Sequence, residues 1–233
     1  MAERSYDFKP GSYDVLSEKM LRQATTFDSG LQRRLSGLLH KLQPGAKVLD
    51  VGAGAGIESI IIEKSGRKAF PLEFSSSMLK LQEVIGVNVP ENGFLRRRIQ
   101  GDIFSPPYKL ESFDAGCVSH MLQLGHTGER IEVLENVHRL LKDNGRLFVV
   151  TEECESLLNI NGKIIKGKES ELLKIAQPYI GKYPVFFAEV GVDLQYLEQL
   201  LYQTGFRNIV VEKDSKNLSR WKGRKQIFAE AQK

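Results

Sequence analysis

The chain has little to stitch or anchor it. Only two cysteines occur in 233 residues, Cys117 and Cys154, and neither stands at metal-ligand spacing from another Cys or His. That excludes a disulfide scaffold and a thiolate metal centre, and it suits free thiols in a reducing compartment. No apolar run approaches the roughly 20 residues that span a bilayer. The opening Met-Ala-Glu-Arg-Ser-Tyr lacks the apolar core of a secretory signal. Net charge is scarce too, at +4, which is too small to indicate nucleic acid by itself. What remains is a chain with 41% hydrophobic and 27% charged residues, the proportions of a globular protein. These traits predict a cytoplasmic location, no membrane segment, no metal and a single domain over 1–233.

The organising stretch is 47–58. Val48, Leu49 and Val51 read as a strand buried on both faces of a parallel sheet. Gly52, Gly54 and Gly56 follow at alternate positions, and Ile57 to Ile62 begins a helix. A strand, a glycine turn and a helix together bring bare backbone close to a ligand at a helix N-terminus. A dinucleotide turn would want Gly or Ala where Ile57 stands. Asp50, at the strand end, would repel a pyrophosphate and attract an ammonium or sulfonium group. The turn therefore predicts a ligand that is cationic beside it.

The run Asp50-Val-Gly-Ala-Gly-Ala-Gly56 resembles motif I of the class I S-adenosylmethionine-dependent methyltransferases. The likeness extends from about Leu42 to Val150, with a weaker echo between Leu194 and Ala229. It implies an α/β three-layer sandwich whose seven-stranded sheet is mostly parallel, with the last strand antiparallel. It also implies S-adenosylmethionine as cofactor and methyl transfer to an N, O or C atom of a small-molecule acceptor. Asp50, Gly52, Ala53, Gly54 and Gly56 would then line the cofactor site.

Further motifs follow in order. Glu73 lies 21 positions after Gly52, near the spacing of about 20 at which an acid reaches ribose hydroxyls. Glu73-Phe74-Ser75 with Met78-Leu79 resembles the second family motif. Phe74 and Met78 would flank the adenosine, or else belong to the core. Gly101-Asp102-Ile103 resembles the third motif, where the acid meets the adenine amino group and the next backbone amide meets the ring. Asp102 could instead cap a turn. Ser119 would offer its backbone to the cofactor's ammonium. His120 and His126, just beyond it, are the general-base candidates. Ser105-Pro-Pro-Tyr108 resembles a motif of amino-group methyltransferases, but it precedes the fourth strand rather than ending it, so it reads as a stiffened loop.

The remaining elements follow from periodicity. Helices are expected at 13–26 and 30–42, forming an N-terminal cap over 1–43 in which Tyr13 touches ligand or merely packs. Strands are expected at 68–73, 94–100, 113–119, 146–151, 207–212 and 226–229. Helices should fill 76–84, 129–142, 169–177 and 194–204. Asn161-Gly162 suits a type I′ hairpin, inside an aromatic-rich insertion, 152–191, that reads as a lid over an acceptor pocket or as plain packing. Six Lys or Arg accompany Asp214 between 213 and 225, and Arg96 to Arg98 form a second basic cluster. The 213–225 run keeps open an RNA or protein methyltransferase, and a non-catalytic S-adenosylmethionine-binding partner subunit stays open because no residue compels catalysis. The expected partner is a small molecule rather than nucleic acid, and nothing sets the oligomeric state.

Overall fold

A computed structural model describes residues 29–86, 92–122, 127–152, 156–167, 169–179, 185–189, 192–218 and 225–233. The expected helix at 13–26, Tyr13 and His126 lie outside these residues. A seven-stranded sheet is built from β1 (Lys47–Val51), β2 (Lys68–Glu73), β3 (Ile99–Gln100), β4 (Phe113–Ser119), β5 (Leu141–Glu152), β9 (Arg207–Leu218) and β10 (Lys225–Gln232). Its order is β3-β2-β1-β4-β5-β10-β9. The first five strands run parallel, and β10 is antiparallel to both β5 and β9. The expected sheet, with its last strand reversed, is the one observed.

Helices cover both faces, as a parallel sheet requires. Successive β1 residues serve opposite cores. Leu49 and Val51 join Val133, Leu134 and Val137 of α4 (Thr127–Leu140) and Leu197, Leu200 and Leu201 of α6 (Leu194–Gln203). Val48 joins Leu35 and Leu39 of α1 (Ser29–His40) and Ile60 to Ile62 of α2 (Ile57–Lys64). A further helix, α3 (Ser76–Gly86), packs Met78 and Leu81 against Ala55.

The third strand is shorter than expected. Residues 94–100 were predicted as one strand, but Asn92–Arg96 is a 3₁₀ turn and only Ile99–Gln100 pairs with β2. Tertiary contacts override the local pattern here. Phe94 is fully buried, and Arg97 is held by Glu63 at 2.5 Å and by the Ala69 carbonyl at 3.0 Å. Arg98 pairs with Glu83. Two of the three clustered arginines are thus engaged inside the chain.

The expected hairpin forms between β6 (Ser156–Ile160) and β7 (Lys163–Gly167), with Asn161 at φ 49° and Gly162 at φ 87°. That pair of signs is what a type I′ turn needs. A further strand, β8 (Val185–Glu189), pairs with β6 to make a separate three-stranded sheet, on which α5 (Glu169–Ala176) packs through Leu172 and Ala176. Nothing in the sequence pattern announced β8.

Candidate active site

The strand order reverses between β1 and β4. In open α/β sheets such a switch point, at the carboxyl ends of the strands, is where ligands bind. β1 leads there into the glycine turn, and β4 leads into Ser119 and His120. The turn is fastened to β2 by three bonds. The amides of Gly52 and Ala53 donate to the Leu72 carbonyl at 2.9 and 3.2 Å, and the Gly54 amide donates to Glu73 Oε2 at 2.7 Å. Glu73 Oε1 accepts the Ser75 amide at 2.7 Å. Burial raises the Glu73 carboxyl above its ordinary pKa against the pull of these backbone donors.

All three glycines lie at positive φ, and Gly56 shows why one must be glycine. Its φ is 82°, and a Cβ there would sit 3.2 Å from Gln82 Cγ and 3.3 Å from Phe94 Cε2. Gly56→Ala should therefore combine left-handed strain with overpacking, at about 2–3 kcal/mol. For a chain of this size that is a fall in Tm of roughly 5–10 °C. Thermal denaturation followed by circular dichroism checks it, and an unchanged Tm would mean the turn relaxes freely.

Asp50 does not face open solvent. It is 1% exposed, and its Oδ2 accepts the Ser59 hydroxyl at 2.6 Å. It also accepts the Ser59 amide. The residue before α2 is glycine and supplies no side-chain cap, so Asp50 caps that helix from the neighbouring strand. Burial is the main cause that pushes its carboxyl up to about 8, with Glu58 adding to the effect and the Ser59 bonds opposing it.

Glu58 was not singled out from the sequence. It stands in the first turn of α2, and its Oε1 accepts the Ser119 hydroxyl at 2.5 Å, which ties that turn to the end of β4. An acid in a first helical turn is a weak signal, since dipole compensation explains it equally well. Cys117, beside Asp50 in the sheet register, is fully buried, and its thiol is pushed up by that burial. It is inert core.

The other candidates divide. Phe74 is 66% exposed at the end of β2, an apolar ring on the rim of the switch point. Met78 is 2% exposed and packed with Ala55 and Leu81, so its side chain belongs to the core. Asp102 caps its own turn, with Oδ1 accepting the Phe104 amide at 2.9 Å. The Ile103 side chain is buried in the main core. Tyr108 rests edge-on against Phe113 at 5.0 Å, so its ring packs on the core. His120 holds φ at 51° while its amide donates to the Val150 carbonyl at 2.8 Å. Strained backbone of this kind concentrates at functional sites. Met121 Sδ would lie 3.2 Å from a Cβ on Gly52, so that side chain covers the turn. Behind it, the buried Arg130 donates from Nε to the Leu122 carbonyl at 2.6 Å and stacks over Tyr196.

Residues 49–149, which contain the turn, Glu73, Asp102 and Ser119, match the family model described as a methyltransferase domain. Over these residues the chain is similar to a methyltransferase domain. Among known proteins, a demethylmenaquinone methyltransferase of Corynebacterium kroppenstedtii is 33% identical over 156 residues, covering 64% of this chain and 63% of that protein. The chain thus spans a little under two thirds of that relative's length.

Two solved structures share the fold of the methyltransferase domain. One is the 1,6-didemethyltoxoflavin-N1-methyltransferase of Burkholderia thailandensis, at a TM-score of 0.61 and 18% identity. It covers 96% of this chain and 90% of its own. The other, an S-adenosylmethionine-dependent methyltransferase of Methanosarcina mazei, has a TM-score of 0.60 and 19% identity, covering 84% and 96%.

Proposed function

We propose that the chain is an S-adenosylmethionine-dependent methyltransferase of the cytoplasm that acts on a small-molecule acceptor. The observation that carries this reading is the bond from the Gly54 amide to Glu73, which joins a glycine turn to a carboxylate at the next strand end. The Gly54 and Ser75 amides bond different Glu73 oxygens and the Phe74 amide adds a third bond, which leaves the carboxylate acceptor capacity toward ribose hydroxyls. Glu58 supplies a carboxylate beside the turn, Asp50 is a second carboxyl that a cationic ligand would ionise, and the Ser119 carbonyl ends β4 there. The exposed Phe74 ring is a fitting neighbour for a purine.

S-adenosylmethionine supplies a methyl group already activated on a sulfonium. What falls to the protein is alignment of two bound reactants and exclusion of water. An amine acceptor needs no dedicated base. For a hydroxyl or carbon acid we assign that role to His120, at the end of β4, with His126 as the second candidate. The acceptor pocket is assigned to the cleft served by 152–191. Relatives named for demethylmenaquinone and 1,6-didemethyltoxoflavin support a small acceptor. No helix among the described residues is long and apolar enough to cross a membrane. The engagement of Arg97 and Arg98 with Glu63 and Glu83 weighs against that cluster as a nucleic-acid surface.

Calorimetric titration with S-adenosylhomocysteine, with NADH as control, tests the reading. Micromolar binding of the former alone supports it, and binding of neither, or of NADH, removes it. Transfer of labelled methyl by the isolated chain removes the alternative of a non-catalytic partner subunit. His120→Ala should leave S-adenosylhomocysteine affinity unchanged and lower kcat by about 10²-fold or more, as loss of a general base does. Unchanged turnover would return His120 to a backbone role.

A further inference from the structure

Gln82 is a polar side chain in an apolar place. It lies on α3 with none of its surface exposed, one turn from Met78 and beside Leu81 on the helix face that packs inward. Its Nε2 donates to the Gly54 carbonyl at 2.8 Å. Its Oε1 is buried and has no hydrogen-bond partner among the described residues. Its Cγ would stand 3.2 Å from a Cβ at Gly56. The side chain therefore fills the space under the glycine turn and grips it at one atom.

For stability alone this is a poor choice. A buried amide oxygen without a donor keeps its desolvation cost uncompensated. A methionine or leucine of similar volume would fill the same space without that cost. The grip on Gly54 is what an apolar residue cannot provide. Gly54 is held at both ends, its carbonyl by Gln82 and its amide by Glu73 Oε2. The peptide orientation at Gly54, whose φ is 50°, therefore links α3 to the carboxylate at the end of β2.

We infer that Gln82 is a positioning residue for the cofactor site, acting through Gly54, whose carbonyl it holds and whose amide bonds Glu73, to fix Glu73 in the orientation that receives the ribose. The inference rests on the assignment of the turn to S-adenosylmethionine. It gives the site a third anchoring element, α3, besides β1 and β2. Gln82 need not touch the cofactor to matter.

The test is Gln82→Met, read by thermal denaturation and by calorimetry with S-adenosylhomocysteine. The expected result is a Tm equal to or above that of the wild type, with Kd raised about tenfold, the loss of roughly one hydrogen bond's worth of preorganisation. In a Glu73→Gln background the same substitution should change Kd far less, because the two side chains hold the two peptide units that flank one residue, Gly54. A Kd within twofold of wild type overturns the proposal, whether or not the Tm falls. An effect of equal size in both backgrounds overturns the route through Gly54. If Gln82→Met does not fold, Gln82→Leu carries the same test, since it too removes the donor to the Gly54 carbonyl without burying a charge. Failure of the wild-type chain to bind S-adenosylhomocysteine would instead reject the cofactor assignment, a result separable from either of these.

Discussion

Glu73→Ala should weaken S-adenosylhomocysteine binding by about 10²-fold or more, the largest effect expected of any single substitution here. Two hydrogen bonds from ribose hydroxyls to a carboxylate are lost, at about 1.5–3 kcal/mol each. Each 1.4 kcal/mol is tenfold in Kd. The damage reaches further, because Gly54 and Ser75 lose the acceptor of their amides. The Tm should fall as well. Glu73→Gln separates the two effects, since it keeps the shape and one acceptor while removing the charge. Calorimetry on both variants is the check. Near-normal Kd in both would mean that Glu73 only fastens the turn.

The second large effect is on pH. The Asp50 carboxyl is held at about 8 in the folded chain, against about 3.9 for an unfolded aspartate. The folded state therefore keeps a proton that the unfolded state releases, so the contribution of this group to stability is greatest below about pH 4. As pH rises from there to about 8, the ligand-free protein should lose stability, at up to about 1.4 kcal/mol per pH unit from this group. Above about 8 both states are ionised and the loss levels off. Asp50→Asn should flatten this part of the profile and raise the Tm at pH 8. A ligand that is cationic beside the turn reverses the preference, because it favours the ionised carboxyl. Binding at pH 6.5 should then release close to one proton per ligand, counted by calorimetry in buffers of different ionisation enthalpy. No release from wild type, or the same release from Asp50→Asn, would remove Asp50 from the response.

How far the sequence reached depended on how local the cause was. β2 and β4 match their expected bounds residue for residue, because short apolar runs between turn residues encode them directly. The Asn161-Gly162 turn was legible for the same reason. Residues 94–100 were misread because what bends them is distant in sequence. Phe94 fills space beside Gly56, and Arg97 answers Glu63. β8 was missed because its only partner, β6, comes 25 or more residues earlier.

The site shows the same division. Motif residues Asp50, Glu73 and Ser119 gather at one sheet edge, yet Asp50 turned out to cap α2 and Met78 to belong to the core. Glu58 and Gln82 went unnoticed because a polar residue on a helix reads as solvent-facing. Gln82 did carry a signal, since it shares the inward stripe with Met78, Leu81 and Ile85.

The place of β10 bears on how the sheet comes into being. Among the described residues β9 pairs only with β10, and β10 separates it from β5. On a ribosome β9 is made first, so it waits without a neighbour until residues 225–232 have followed. Until then Ile209 and Val211, which later pack against the core, stay open to water. Closing that edge therefore requires β10 to enter between β5 and β9, and its pairing with β5 joins residues far apart in sequence, the kind of contact that forms slowly.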